Sequence, residues 1–151
     1  MLGRKIALGN CFPVTTPQLL PDDYNALATF RYAMRKFLHF SKQTLASEAG
    51  LTTEQYEALL ALKAFGGPEG LTISELSERL QVKQHSAGSL VDKLEALQFV
   101  RREPAEDDRR RVFVQLTAEA AQVLAKVAVL HRHEMRSRSP EMIEALQRLR
   151  K

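Results

Sequence analysis

The chain is short of cysteine, of long apolar runs and of histidine, and each shortage removes a class of protein. Cys11 is the only cysteine, so no intrachain disulfide forms and a cysteine-rich zinc site is excluded. That usage fits a reducing cytoplasm. No apolar run approaches the roughly 18–20 residues that span a bilayer, so no membrane partner is expected. Ile6-Ala7-Leu8, behind Arg4 and Lys5, is broken by Gly9-Asn10 and is too short for the apolar core of a signal peptide. The four histidines are scattered, and His131-x-His133 lacks a carboxylate pair at ligand spacing, so neither metal nor cofactor is expected. A phosphate-cradling glycine loop, a nucleophile elbow and a paired metal motif are all missing, so no catalytic residue is assigned and the chain does not read as an enzyme. Internal repeats and low-complexity segments are missing too.

What is present is a chain of 151 residues, 44% hydrophobic and 26% charged, enough for one domain or one module with helical additions. Its net charge is +4, which permits a nucleic-acid partner without proving one. The distribution says more. Residues 71–117 hold eight Lys and Arg against eight Asp and Glu, while the excess lies in residues 1–50 (six against three) and 118–151 (seven against four). A central reader of nucleic acid would therefore depend on placed cations, above all the triplet Arg109-Arg110-Arg111, rather than on overall charge.

Residues 1–20, with Gly3, Gly9, Pro13 and Pro17, show no sustained period and read as an irregular arm. Pro21-Asp22-Asp23 opens a long helix that Gly50 stops, with Leu27, Phe30, Met34, Phe37, Leu38 and Leu45 near one face. Thr52-x-x-Gln55 and Thr72-x-x-Glu75 are capping boxes, beginning helices to about Phe65 and Leu80, with Gly70 allowing a turn between them. A helix over 84–97 follows, its apolar stripe Ala87, Leu90, Val91, Leu94 and Leu97. Two β-type runs, 99–102 and 111–116, flank the charged segment 103–110. Thr117 caps a helix to about Arg138, and Ser139-Pro140 restarts a short amphipathic one. The fold class is thus mainly α with a small β-hairpin wing: a winged helix-turn-helix over residues 51–117, with helical dimerisation regions at 21–50 and 118–151. The terminal helices carry more apolar surface than a small domain buries, which points to a homodimer. A dimer would set two reading helices about 34 Å apart, one turn of DNA.

The run from Leu51 to about Met135 resembles the MarR family of bacterial transcription regulators. The residues that carry the resemblance are Leu51-Thr52-x-x-Gln55-Tyr56-x-x-Leu59-Leu60, Leu71-Thr72-x-x-Glu75-Leu76-Ser77-x-x-Leu80 and Ser86-Ala87-x-x-Leu90-Val91-Asp92-Lys93-Leu94-Glu95. The most specific piece is Asp108-Arg109-Arg110 followed by Val112-x-Val114-x-Leu116-Thr117. Gln98 stands where the family usually has glycine, at the end of the reading helix. The resemblance implies a cytoplasmic homodimer, more often a repressor, that binds double-stranded DNA at a pseudo-palindromic operator and is released by a small aromatic effector.

On that reading, helix 84–97 enters the major groove with Lys83, Gln84, His85, Ser86 and Ser89 facing DNA. Glutamine pairs bidentately with adenine, and a good bidentate pair discriminates by about 1–3 kcal/mol. The wing, 103–111, enters the minor groove, where narrow A·T-rich tracts concentrate negative potential. The resemblance assigns the tip to Arg110, braced by an ion pair from Asp108, with Arg109 and Arg111 towards phosphates. Thr72, Ser74 and Arg79 are further phosphate contacts. His39, Tyr56 and His131 are the residues that would line an effector cleft, though each also reads as an ordinary packing or surface residue. The other class of function is a winged helix that binds protein instead of DNA.

Overall fold

The computed structural model describes residues 18–150, so the arm expected over residues 1–20, Cys11 included, lies outside it but for its last three positions. Helix starts are built from local chemistry. In α1 (Pro21–Ala49) the Asp23 carboxylate accepts the Leu20 amide at 2.8 Å, and the helix stops at Gly50 with φ 62°. In α2 (Thr53–Phe65) the Thr52 hydroxyl accepts the Gln55 amide at 3.2 Å, while Gln55 Oε1 accepts the Thr52 amide at 2.9 Å. The same box opens α3 (Ile73–Leu80): Glu75 accepts both the Thr72 amide, at 2.8 Å, and its hydroxyl, at 2.9 Å. The backbone hydrogen bond from Thr72 is the main reason the Glu75 carboxyl is held below its usual range. Removing such a cap costs about 1 kcal/mol.

From α3 the chain turns through Gln81, at φ 54°, into α4 (Gln84–Ala96). At the far end of α4 the Gln98 amide donates to the Glu95 carbonyl and the Phe99 amide to the Leu94 carbonyl, both at 2.9 Å. This is the double closure that ordinarily uses a left-handed glycine, and Gln98 adopts it at φ 60°. The residue that stands in place of the family's usual glycine thus takes the glycine conformation.

Three strands follow from the pairing, not two. Short β1 (Leu71–Thr72) joins β3 (Val112–Leu116) antiparallel, and β2 (Val100–Pro104) pairs with β3 on its other side, giving the order β1-β3-β2. The register sets Val100 opposite Leu116, Arg102 opposite Val114, and Leu71 opposite Val114. The hairpin of the sequence reading is thus extended by a strand of two residues, too short to show a period. Gly70 (φ 95°) makes that pairing attainable, because a Cβ there would lie 2.1 Å from the Val114 carbonyl oxygen.

The core lies between α2, α3, α4 and the sheet, where Leu59, Leu76, Val91, Leu94 and Val114 are fully buried. α5 (Ala118–Leu149) begins at Thr117, whose hydroxyl accepts the Ala120 amide at 3.2 Å. It corrects the expected break after Arg138, for one helix of 32 residues runs through Pro140. Proline has no amide to give the carbonyl of Arg136, and the Ser139 hydroxyl donates to that carbonyl at 3.1 Å instead. α1 packs along α5, with small residues, Ala26, Ala33 and Ala145, among those buried. Leu27, Met34 and Leu38, from the apolar face expected on α1, are exposed, as are Tyr24 on the same helix and Leu130, Met135, Ile143 and Leu146 on α5. No helix among the described residues is long and apolar enough to cross a membrane.

Candidate nucleic-acid interface

α4 presents a polar first turn and a half to solvent. Lys83 is its N-cap residue; its ammonium has no acceptor with which to cap the helix amides, and the side chain is exposed. Gln84, His85, Ser86 and Ser89 are exposed, whereas Ala87 and Val91, on the opposite face, are fully buried. The 3.6-residue repeat thus separates a core stripe from a polar face, as expected. His85, Ser86 and Ser89 also line a cleft of about 450 Å³ whose other wall is the start of α2, with Thr52 and Glu54, so neighbouring elements leave them open to an incoming molecule. Gln84 donates from Nε2 to the Ser74 hydroxyl at 3.0 Å. Two predicted contacts are therefore tied together, and the bond joins α3 to the start of α4.

The remaining residues expected at phosphates are differently placed. The Thr72 hydroxyl is committed to the cap, accepting from the Glu75 amide and donating to its carboxylate. Arg79 is exposed, with its guanidinium 3.9 Å from the centre of the Phe65 ring, a stacking that keeps the cation at the surface.

The wing holds its arginines at the surface by turn chemistry. The Asp108 carboxylate accepts the Arg110 amide at 3.0 Å, and the Asp108 carbonyl accepts the Arg111 amide at 3.0 Å. Asp108 therefore meets Arg110 through the backbone, which shapes the turn and leaves the guanidinium outward, in place of the expected ion pair. Arg109, Arg110 and Arg111 are all exposed. Among the described residues the ion pairs do not involve Arg109 or Arg110. Arg111 lies 3.8 Å from Asp107 and 5.3 Å above the Phe113 ring, a loose exposed pairing worth little energy.

Arg102 is the residue that sequence reasoning missed. From β2 it donates Nη2 to Asp92 at 2.6 Å and Nη1 to Glu95, both on α4. Its hydrogen bond to Asp92 and the charge of Glu95 raise its pKa further above an already high value. The acids at i and i+3 were visible in the sequence, but nothing local says that β2 runs back beside α4.

Of the three residues expected in an effector cleft, two meet. The Tyr56 and His131 rings stand edge to face, 4.8 Å between centres, with Phe37 and Phe40 at 5.8 and 6.2 Å from the same imidazole. His131 is 6% exposed and its Nε2 has no hydrogen-bond partner. Burial lowers its pKa, opposed by a hydrogen bond with the Ser41 backbone, and burial raises that of the Tyr56 phenol. His39 is exposed on α1 and apart from this cluster.

Comparison with known proteins agrees with this geometry. Residues 49–111, from the end of α1 to the wing tip, match the model of the MarR family. The HTH-type transcriptional regulator PecS of Dickeya dadantii (strain 3937) is 31% identical over 85 residues, 56% of this chain. The match spans about half the length of that relative, 51%. The crystal structure of AbsC, a MarR family transcriptional regulator from Streptomyces coelicolor, is 28% identical, covers 82% of each chain and superposes with a TM-score of 0.68. A variant of MepR from Staphylococcus aureus, bound to an oligodeoxyribonucleotide, is 20% identical, covers 82% of this chain and 97% of that one, and has a TM-score of 0.62; it shares the fold. With the helix-turn-helix and wing matched in sequence and the flanking helices matched in structure, residues 49–111 are similar to the MarR family and the described chain shares the fold of its members.

Proposed function

We propose that the protein is a homodimeric DNA-binding transcription regulator, acting as a repressor in the cytoplasm. α4 reads the major groove with Lys83, Gln84, His85, Ser86 and Ser89, and Arg110 enters the minor groove with Arg109 and Arg111 at the backbone. The observation that carries the reading is the pairing of an open polar helix start with wing arginines whose side chains are left outward by the Asp108 turn. The oligodeoxyribonucleotide-bound MepR variant, with the same fold, supports it. The exposed apolar faces of α1 and α5 support a second copy, which would present two reading helices to one pseudo-palindrome. Release by a small aromatic effector belongs to the same proposal: a planar ligand wedged between Tyr56 and His131 would part α2 from α5.

Selection of duplexes from a random pool tests the reading. It is expected to yield a two-fold-related site with half-sites one helical turn apart, bound with affinity that falls steeply as salt rises. Arg110→Ala is expected to weaken binding by at least several-fold, most for A·T-rich flanks. Unchanged affinity for such duplexes would remove the wing from the interface, and selection of no sequence at all would favour a protein partner.

A further inference from the structure

The geometry points to Arg102 as a positioning residue for sequence discrimination, one that locks the roll of α4 against the strand leading into the wing. The inference rests on α4 being the DNA-reading helix. Its anchor is a fork: one guanidinium nitrogen holds Asp92 at 2.6 Å and another holds Glu95. Those acids are three residues apart on one helix flank. A single contact lets a helix turn about its axis; two contacts almost one turn apart, from one rigid planar group, do not. Arg102 is also the most sheltered of the paired arginines on the sheet and wing, its side chain 31% exposed against 61% for Arg101 and 55% for Arg111.

Roll matters because Ser89 is three residues before Asp92, and His85 and Ser86 precede it on the open face. A rotation of about 20° moves a side-chain tip, roughly 5–6 Å from the axis, by about 2 Å, which is enough to break a hydrogen bond to a base edge. The same strand continues into the segment that carries Arg109 and Arg110. Arg102 therefore fixes the spacing between the helix in one groove and the arginine in the next. It also offsets two carboxylates that a reading helix would otherwise present near phosphates. Lysine, a point charge on a flexible stem, keeps the charge and loses the fork.

The test uses the full-length dimer, a duplex selected by the wild type, and a scrambled duplex of equal length. Arg102→Lys is expected to lower the ratio of selected to scrambled affinity at least tenfold, with scrambled affinity unchanged. The double variant Asp92→Asn, Glu95→Gln breaks the fork from the other side. It is expected to lower the same ratio while raising scrambled affinity, because two negative charges per chain are lost. It also keeps Arg102, so it decides the matter if the lysine variant fails to fold. A ratio within twofold of the wild type in a folded, dimeric variant overturns the inference: a merely stabilising ion pair would lower the urea midpoint and leave the ratio alone. If the wild type selects no duplex, the DNA reading itself falls.

Discussion

Gln98 holds a backbone conformation at φ 60° that costs an L-residue with a Cβ about 1 kcal/mol or more. Its amide and carbonyl are both used, the latter accepting the Thr117 hydroxyl at 2.8 Å, while its side chain is exposed. Gln98→Gly keeps those backbone bonds and relieves the strain. It is expected to raise unfolding stability by about 0.5–1 kcal/mol, less than the full relief because glycine is more disordered when unfolded; a lowered urea midpoint would contradict this. His131 gives a pH-dependent counterpart. Burial depresses its pKa below 6.5 in the folded chain, so between pH 8 and 5 the unfolded chain binds the extra proton. The stability it contributes is complete above about pH 6.5 and is lost as pH falls through the folded value. The carboxyls of Glu54 and Glu75 are held below the usual carboxylate range, chiefly by backbone hydrogen bonds, and act at lower pH, leaving this window to histidine. His131→Phe, which keeps a ring beside Tyr56, is expected to flatten the pH 8 to 5 dependence measured by urea unfolding at fixed protein concentration. An unchanged slope would show that His131 does not carry it.

Among the elements, α5 shows how a sequence signal for a break is overruled. Ser139-Pro140 reads as a new start, since serine caps and proline favours a first turn. In the fold, the Ser139 hydroxyl takes the Arg136 carbonyl that proline leaves unpaired. Ala145, on the segment beyond, is buried, and Arg148 lies 3.6 Å from Asp22 of α1. Packing against α1 thus supplies what the helix loses at proline. Ser139→Ala is expected to destabilise the segment after Pro140 by about 0.5–1.5 kcal/mol, seen as faster amide exchange over residues 141–149 with exchange over 120–130 unchanged. Equal change along the whole helix would mean that the hydroxyl has no local role. Starts signalled by capping boxes, at Thr52 and Thr72, were legible because both partners lie within four residues. β1 was not, because its partner Val114 is more than forty residues away.

For the whole molecule, the exposed positions Tyr24, Leu27, Met34 and Leu38 recur at helical spacing along α1 and suit an interface more than a solvated face. Sedimentation at micromolar concentration is expected to give twice the 17.0 kDa chain mass. Leu38→Glu is expected to weaken association at least tenfold and to reduce binding to a two-half-site duplex accordingly. A monomeric wild type, or a variant that dimerises normally, would move the interface elsewhere. The balance of eight basic and eight acidic residues over 71–117 makes this coupling matter, since one lobe alone offers few unopposed cations to a phosphate backbone.

The sequence by itself determined the elements whose causes are local: capped helix starts, the glycine stop at residue 50, the core stripe of α4, and the position of the wing segment carrying Arg109 and Arg110. Periodicity and hydrogen bonds over a few residues suffice for these, and they place the candidate reading face and wing tip. The tertiary structure alone decided what depends on elements distant in sequence. It put Arg102 between Asp92 and Glu95, bound Gln84 to Ser74, enclosed His131 with Tyr56 while leaving His39 outside, and kept α5 continuous through proline. Each of these is a contact between side chains on different elements, or a helix held by packing. Their energy comes from burial and from charges brought together by the fold, neither of which a local pattern encodes.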